Sequence, residues 1–199
     1  MAITKIHPIK STLKSALAYV LEGKKTNEGF LISSFACSPE TADIEFGFTL
    51  SQCMQKGNNL AFHLIQSFKP GEIDQDTAHR IGQDLALEIL KGKYEYVLST
   101  HVDKGHIHNH LIFCAANFID FHKYVSNKKS YFQIRNTSDR LCEQYGLSVV
   151  IPGEDRGKCY KEYLATKTGT SWKDRMRKAA FQSVKQSSTF EEFALRMNL

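Results

Sequence analysis

The chain has 199 residues, 26 basic and 21 acidic side chains, a formal net charge of +5, and 42% hydrophobic against 24% charged residues. This composition excludes wholesale disorder, and the length suits one large domain with a helical appendage. No apolar run reaches the roughly 18 residues of a membrane span, and the opening residues lack the apolar stretch of a signal peptide. Five scattered cysteines (Cys37, Cys53, Cys114, Cys142, Cys159) with no CxxC pair fit neither a disulfide framework nor a zinc finger. Reduced thiols in a cytoplasmic protein are expected.

In chain order, Ala2 to His7 reads as a strand ended by Pro8. Ser11 or Thr12 then caps a helix with Leu13, Leu17, Val20 and Leu21 at helical spacing, stopped by Gly23. Phe30 to Ala36 is strand-like, and Ser38 with Pro39 in the first helical position opens a helix reaching about Lys56–Gly57. Leu60 to Phe68 is a β-rich run closed by the turn Lys69-Pro70-Gly71. Asp74 or Asp76 opens an amphipathic helix carrying Ile81, Leu85, Ile89 and Leu90, ended by Gly92. Tyr94 to His101 and Ile107 to Ala116 form a hairpin around Val102-Asp103-Lys104-Gly105. A helix follows over Tyr131 to Tyr145, stopped by Gly146, and then a last strand over Leu147 to Ile151. From Cys159 the text is helical and basic, with Thr170 or Ser171 as a cap. It is still helical at Leu199, which predicts a chain that continues. The order predicts an α+β fold, an antiparallel-rich sheet with helices packed on it, over residues 1–152, and a basic helical extension over 153–199. No Gly-rich βα turn is present, so dinucleotide chemistry is not expected.

Charge is unevenly placed. Residues 31–122 hold 6 Lys/Arg and 11 Asp/Glu, a net of −5, whereas residues 1–30, 123–140 and 154–185 carry +3, +4 and +5. Basic flanks around an acidic middle either form a groove for a polyanion or are ordinary solvated faces.

Four of the eight histidines fall within ten residues, His101-Val102-Asp103-Lys104-Gly105-His106-Ile107-His108-Asn109-His110. On a strand, alternate side chains share a face, so His106, His108 and His110 project to one side and Ile107 and Leu111 to the other. His-x-His places two imidazoles about 6–7 Å apart at Cβ, and His101 ends the partner strand nearby. Three imidazoles with open positions left over describe a catalytic metal site. The alternative is a histidine-lined, pH-sensitive surface. An all-imidazole set suits zinc, copper or nickel, and takes manganese or magnesium when a phosphate supplies oxygens.

His-hydrophobic-His on a strand, preceded by His-x-Asp, resembles the third motif of HUH-type relaxases, specifically the MobP mobilisation endonucleases of conjugative plasmids and transposons. Ala18-Tyr19-Val20-Leu21 with Gly23-Lys24-Lys25-Thr26 resembles their tyrosine motif, and His63 through Gly71 their second motif. Lys129-Ser130-Tyr131 to Cys142 and Tyr145 to Val149 resemble the closing helix and strand. The likeness implies a palm-like antiparallel sheet and strand-specific cleavage of single-stranded DNA at an origin of transfer, leaving a 5′-phosphotyrosine. It implies Tyr19 as nucleophile, although Leu17, Val20 and Leu21 around it also suit a packed core tyrosine. It implies His101, His108 and His110 as ligands of a divalent ion (Mn or Mg in function, Zn or Ni possible), with His106 able to exchange roles with His101. Asp103 and His106 join Tyr19 as catalytic groups, Asp103 orienting a ligand or accepting the tyrosine proton; Asp103 also suits a plain turn residue.

A tyrosine with a pKa near ~10 needs such help at neutral pH. His63 shares its face with Ile65 and Ser67, and is either packed or a DNA contact, with Ser67 placed for a phosphate. Further DNA contacts are expected from Lys24, Lys25, Lys128, Lys129, Tyr131, Arg135, Trp172, Lys173, Arg175 and Arg177, with Phe132, Tyr160 and Tyr163 either stacking bases or sitting in the core. The segment from Trp172 to Lys185 is a basic amphipathic helix that either holds a duplex arm or docks on the domain. The partners implied are origin-of-transfer DNA, single-stranded with a hairpin, an accessory DNA-binding protein and a coupling protein, with no membrane. A rolling-circle initiator or transposase of the same chemistry, a hydrolytic phosphoesterase and a non-catalytic metal-containing DNA-binding module are the alternatives.

Overall fold

The computed structural model describes residues 2–23, 26, 29–102, 106–149 and 165–197. It divides into two units, Met1–Ile151 and Pro152–Leu199. The first is built on strands β1 (Ile3–Ile9), β2 (Ile32–Phe35), β3 (Ala61–Ser67), β4 (Tyr96–His101) and β5 (His108–Cys114), ordered β1-β3-β5-β4-β2. Every neighbouring pair is antiparallel. Helices α1 (Leu13–Val20), α2 (Ala42–Ser51), α3 (Gln75–Leu90) and α4 (Lys128–Gln144) complete the α+β fold that the element order predicts.

β5 is the middle strand and is buried along its whole length, which explains why its sequence turns continuously apolar after His110. Alternation sends Leu111 and Phe113 into one core, with Phe62, Leu64, Leu98 and the inner faces of α3 and α4. Ile112 and Cys114 go to the other core, with Ala61, Val97, Leu13, Leu17 and Val20 of α1 and Phe46 of α2. The sheet is therefore sandwiched, but α1 and α2 cover only one end of their face. At the other end the β1–β3 surface is open: Ile3, Lys5 and His7 are exposed, and His63, Ile65 and Ser67 are half-buried.

Several boundaries differ from the sequence reading for identifiable reasons. β1 runs through Pro8 to Ile9, because an edge strand has one ladder and tolerates a missing N–H. α2 starts at Ala42 rather than Pro39: the Glu45 carboxylate accepts from Ser38 N and Thr41 Oγ1, folding Ser38–Thr41 into a turn ahead of the helix. It stops at Ser51, beyond which Met54 stands almost wholly in solvent. α4 begins at Lys128 because Asn127 and Ser130 form a reciprocal capping box. Leu147–Val149 form no strand. Gly146 takes φ 72° and Leu147 N donates to Cys142 O, so the segment expected as a strand closes α4 instead. Val150 and Ile151 lie outside the described residues.

The second unit holds α5 (Trp172–Gln186), capped by Ser171 accepting from Asp174 N, and α6 (Phe190–Met197). Among the described residues, no helix is long and apolar enough to cross a membrane.

Candidate metal centre and nucleophile

The β4–β5 register sets His101 opposite His108 and Ser99 opposite His110. Strand alternation then turns His101, His108 and His110 to the face that α1 covers. All three are buried, and one ring nitrogen from each lies within 4.8 Å of the other two. Ring centroids are 4.3 Å apart for His101 and His110, 4.8 Å for His108 and His110, and 5.3 Å for His101 and His108.

Each imidazole has a hydrogen-bond partner on its second nitrogen. His101 Nε2 donates to the carbonyl of Val20 at 2.9 Å, so its Nδ1 carries the lone pair. His110 Nδ1 lies 2.8 Å from His63 Nε2, and in the tautomer where His110 donates, its own Nε2 is the ligand atom. His108 Nδ1 is 3.4 Å from the carbonyl of His106. Fixing the tautomer through the far nitrogen is how proteins orient imidazole ligands, so the donor set fits a divalent ion. Burial, with His7 and His101 nearby, pushes the pKa of His63 down to about 4, which keeps it a neutral acceptor at physiological pH.

Tyr19 sits at the rim of this cluster. α1 buries Leu13, Leu17 and Val20 and leaves Tyr19 42% exposed. Its ring meets His101 edge-on at 5.7 Å and His110 at 5.9 Å between centroids. The core role that its apolar neighbours also suited is therefore taken by Val20.

The remaining site residues are placed as follows. His106 precedes β5 rather than belonging to it, and its ring stacks on His108 at 5.0 Å. Ser67 pairs with His108 and Ile65 with His110, on the same face. Tyr131 and Arg135 of α4 line a small cleft with Ala2, Ile3 and Thr4, and Arg135 also pairs with Asp139. Ile3 pairs with Ser67, so the cleft adjoins the row Ile3–Ser67–His108–His101, with Ile3 roughly 10 Å from His108 at two strand spacings. Lys128 and Lys129 are exposed in the first turn of α4, with Lys128 over Phe132. In the second unit Trp172, Lys173, Arg175 and Arg177 are exposed on α5. Asp103, Lys24, Lys25, Cys159, Tyr160 and Tyr163 lie outside the described residues.

Two features escaped sequence reasoning. The Val20 carbonyl bears no side-chain signal. Asn109 did leave one: a polar residue on the strand face that also carries Leu111 and Phe113.

A buried three-imidazole cluster in an antiparallel sheet, with a half-exposed tyrosine against it, is a donor set that could hold a divalent ion beside a hydroxyl able to act as a nucleophile. The relaxase model described as MobA/VirD2-like, nuclease domain, matches residues 19–147. The chain belongs to this family of relaxase nuclease domains. It is 33% identical over 194 residues to the protein rlx of Staphylococcus aureus, covering 97% of this chain and 58% of that protein. It is 28% identical over 176 residues to the group II intron-interrupted relaxase LtrB of Lactococcus lactis, covering 81% of this chain and 30% of that relaxase. The chain thus spans little more than half the length of the rlx proteins it matches. Among solved structures, the Mn-bound MobM relaxase domain with plasmid pMV158 oriT DNA superposes with a TM-score of 0.58 at 9% identity, over 82% of this chain and 98% of that one. A structure described as the molecular basis of vancomycin resistance transfer in Staphylococcus aureus gives 0.53 at 14%, over 78% of this chain and 100% of that one. At these identities the two structures show the fold alone.

Proposed function

We propose that this chain nicks and rejoins single-stranded DNA at an origin of transfer in the bacterial cytoplasm, with Tyr19 as nucleophile. The observation that carries the reading is the packing of the Tyr19 ring on His101 and His110. Tyr19 Oη attacks the scissile phosphorus; the P–Oη bond forms, the P–O3′ bond breaks, and the 3′ oxygen leaves with a proton. The 5′ end stays on Tyr19 as a phosphotyrosine, and the reverse reaction rejoins the strand. His101, His108 and His110 would hold a divalent ion, Mn or Mg in function with Zn or Ni tolerated, that neutralises charge on the phosphoryl oxygens. The MobM domain, a relaxase of the same fold described as Mn-bound and bound to oriT DNA, is consistent with a divalent ion and origin DNA as the ligands proposed here. Asp103 orients a ligand imidazole or accepts the tyrosine proton, and His106, stacked on His108, joins it as a catalytic group.

The DNA path runs over the open β1–β3 face. Ser67 and His63 stand beside the triad, Lys5 offers a phosphate contact, and the Tyr131–Arg135 cleft lies at the far end. Lys24, Lys25, Lys128 and Lys129 are further DNA contacts, and so, in the second unit, are Trp172, Lys173, Arg175 and Arg177. A hairpin arm of the origin, an accessory DNA-binding protein and a coupling protein are the partners proposed.

The test is incubation with labelled single-stranded origin oligonucleotides and manganese, resolved on a denaturing gel. The wild type gives a protease-sensitive, slow-migrating adduct and Tyr19→Phe gives none while still binding the oligonucleotide. An adduct in the variant moves the nucleophile elsewhere. Cleavage without any adduct identifies a hydrolase, and tight binding without cleavage identifies a binding module.

A further inference from the structure

Directly behind the three histidines, on the opposite face of the sheet, the strands carry polar side chains where apolar ones are the rule. Thr100 pairs with Asn109 across β4–β5, and Asn109 with Gln66 across β5–β3. Each is a chain neighbour of the triad or its flank: Thr100 precedes His101, and Asn109 lies between His108 and His110. All three are fully buried.

Their hydrogen bonds run in one direction. Gln83 Nε2 donates to Ser33 Oγ at 2.8 Å, and Ser33 Oγ lies 2.7 Å from His79 Nε2. His79 Nδ1 lies 2.8 Å from Thr100 Oγ1, which donates to Asn109 Oδ1 at 2.6 Å. A threonine hydroxyl has one proton, so Thr100 must accept from His79, which sets His79 as the neutral Nδ1–H tautomer. Asn109 Nδ2 donates to Gln66 Oε1 at 3.0 Å and to the carbonyl of Ala78 at 2.7 Å, and Gln66 Nε2 donates to Ser138 Oγ at 2.8 Å. The chain thus ties β2, α3, β4, β5, β3 and α4 together, with the Asn109 amide at its centre and both amide atoms engaged.

Gly82 makes this possible. It lies inside α3, where glycine costs about 1 kcal/mol relative to alanine. A Cβ there would stand 2.6 Å from Asn109 Nδ2, 3.0 Å from its Cγ and 3.1 Å from Leu98 Cδ1. The missing side chain is the slot through which Asn109 reaches the helix carbonyl of Ala78.

We infer that Asn109, seated against Gly82 and held by Thr100, is a positioning residue that sets the orientation of His108 and His110 from behind the sheet. Rotation of Asn109 turns the backbone on both sides of it, so a side chain locked at three points also locks two imidazoles on the other face. Cavity-filling apolar residues would stabilise the sheet as well, but without fixing the strand along its own axis. The inference rests on the reading of the histidines as ligands.

The experiment is titration of the full chain with Mn(II), free Mn(II) being read by electron paramagnetic resonance, alongside thermal unfolding. Gly82→Ala, Asn109→Ala and the milder Thr100→Val are compared with Leu85→Ala, which opens a cavity in the same helix away from the chain of hydrogen bonds. Loss of a ligand-orienting partner weakens metal binding by about 10- to 100-fold. The expected result is at least about tenfold weaker Mn(II) binding in all three variants, with Leu85→Ala within about twofold of wild type despite its lower melting temperature. Equal affinities throughout, or equal loss in Leu85→Ala, would overturn the positioning role. Absence of Mn(II) binding by the wild type would overturn both it and the ligand assignment, and is separable because it does not depend on any variant.

Discussion

His101 Nε2 donates to the backbone carbonyl of Val20 at 2.9 Å, across 81 residues of chain. Val20 follows Tyr19, so one hydrogen bond ties a ligand-type imidazole to the helix that carries the tyrosine. The same bond selects the His101 tautomer and caps the last turn of α1, whose terminal carbonyls would otherwise need other partners.

His101→Ala is therefore expected to act twice. It removes a proposed ligand, which should abolish tight Mn(II) binding, and it leaves the Val20 carbonyl buried without this donor, at about 1–3 kcal/mol. His108→Ala removes a proposed ligand and leaves the His101–Val20 hydrogen bond in place. Chemical denaturation of the metal-free variants checks this: His101→Ala should be the less stable of the two, and equal stabilities would contradict it.

His63 bonds His110 from β3, which makes it an orienting partner before it is a DNA contact. His63→Ala should weaken Mn(II) binding by about 10- to 100-fold, while metal-free binding to a single-stranded oligonucleotide stays within a factor of two or three. Fluorescence anisotropy without metal separates the two roles. A large loss there with Mn(II) affinity intact would reassign His63 to the DNA.

The metal-free protein should lose stability as pH falls from neutrality. Burial pushes the pKa of His63 down to about 4 and lowers that of His79, so both take up protons less readily in the folded chain than in the unfolded chain, which protonates below its ordinary value of about 6.5. More protons bound to the unfolded state means stability rises with pH. The contribution is complete above about pH 6.5 and is lost as pH falls towards 4. Urea midpoints at pH 7.5, 6 and 4.5 should fall in that order, and less steeply for His63→Phe. A flat profile, or the same slope in the variant, would contradict the assignment.

Lys128 and Lys129 project from the first turn of α4 into solvent. If each contacts a phosphate of a single strand, replacing both with alanine lowers the slope of log affinity against log salt by about 1.4, at roughly 0.7 per contact. Oligonucleotide binding from 50 to 300 mM salt measures the slope, and an unchanged value removes the pair from the interface.

The parts of this protein that could be read from sequence are those governed by local period. Alternation over His108–Cys114 exposes β5, its hairpin partner and the facing of two histidines, and Leu13, Leu17 and Val20 outline the inner face of α1. What stayed hidden depends on pairing between distant segments. No local pattern brings Val20 to His101, His63 to His110, or Gly82 to Asn109, because each contact is created by strand order and register. Gly82 is an interior glycine of an amphipathic helix, and its reason lies 27 residues further along the chain. Leu147 to Ile151 shows the converse: an apolar run reads as a strand, but Leu147 is taken by the turn that ends α4.

The central claim is that Tyr19 forms the covalent link to DNA. The direct measurement is mass spectrometry of the nicked complex after nuclease trimming and trypsin digestion. The peptide from Ser15 to Lys24, with Tyr19 as its sole tyrosine, should carry the mass of a 5′-phosphorylated nucleotide remnant. The remnant on a peptide holding Tyr94, Tyr96 or another tyrosine, with the Ser15–Lys24 peptide unmodified, would contradict the account.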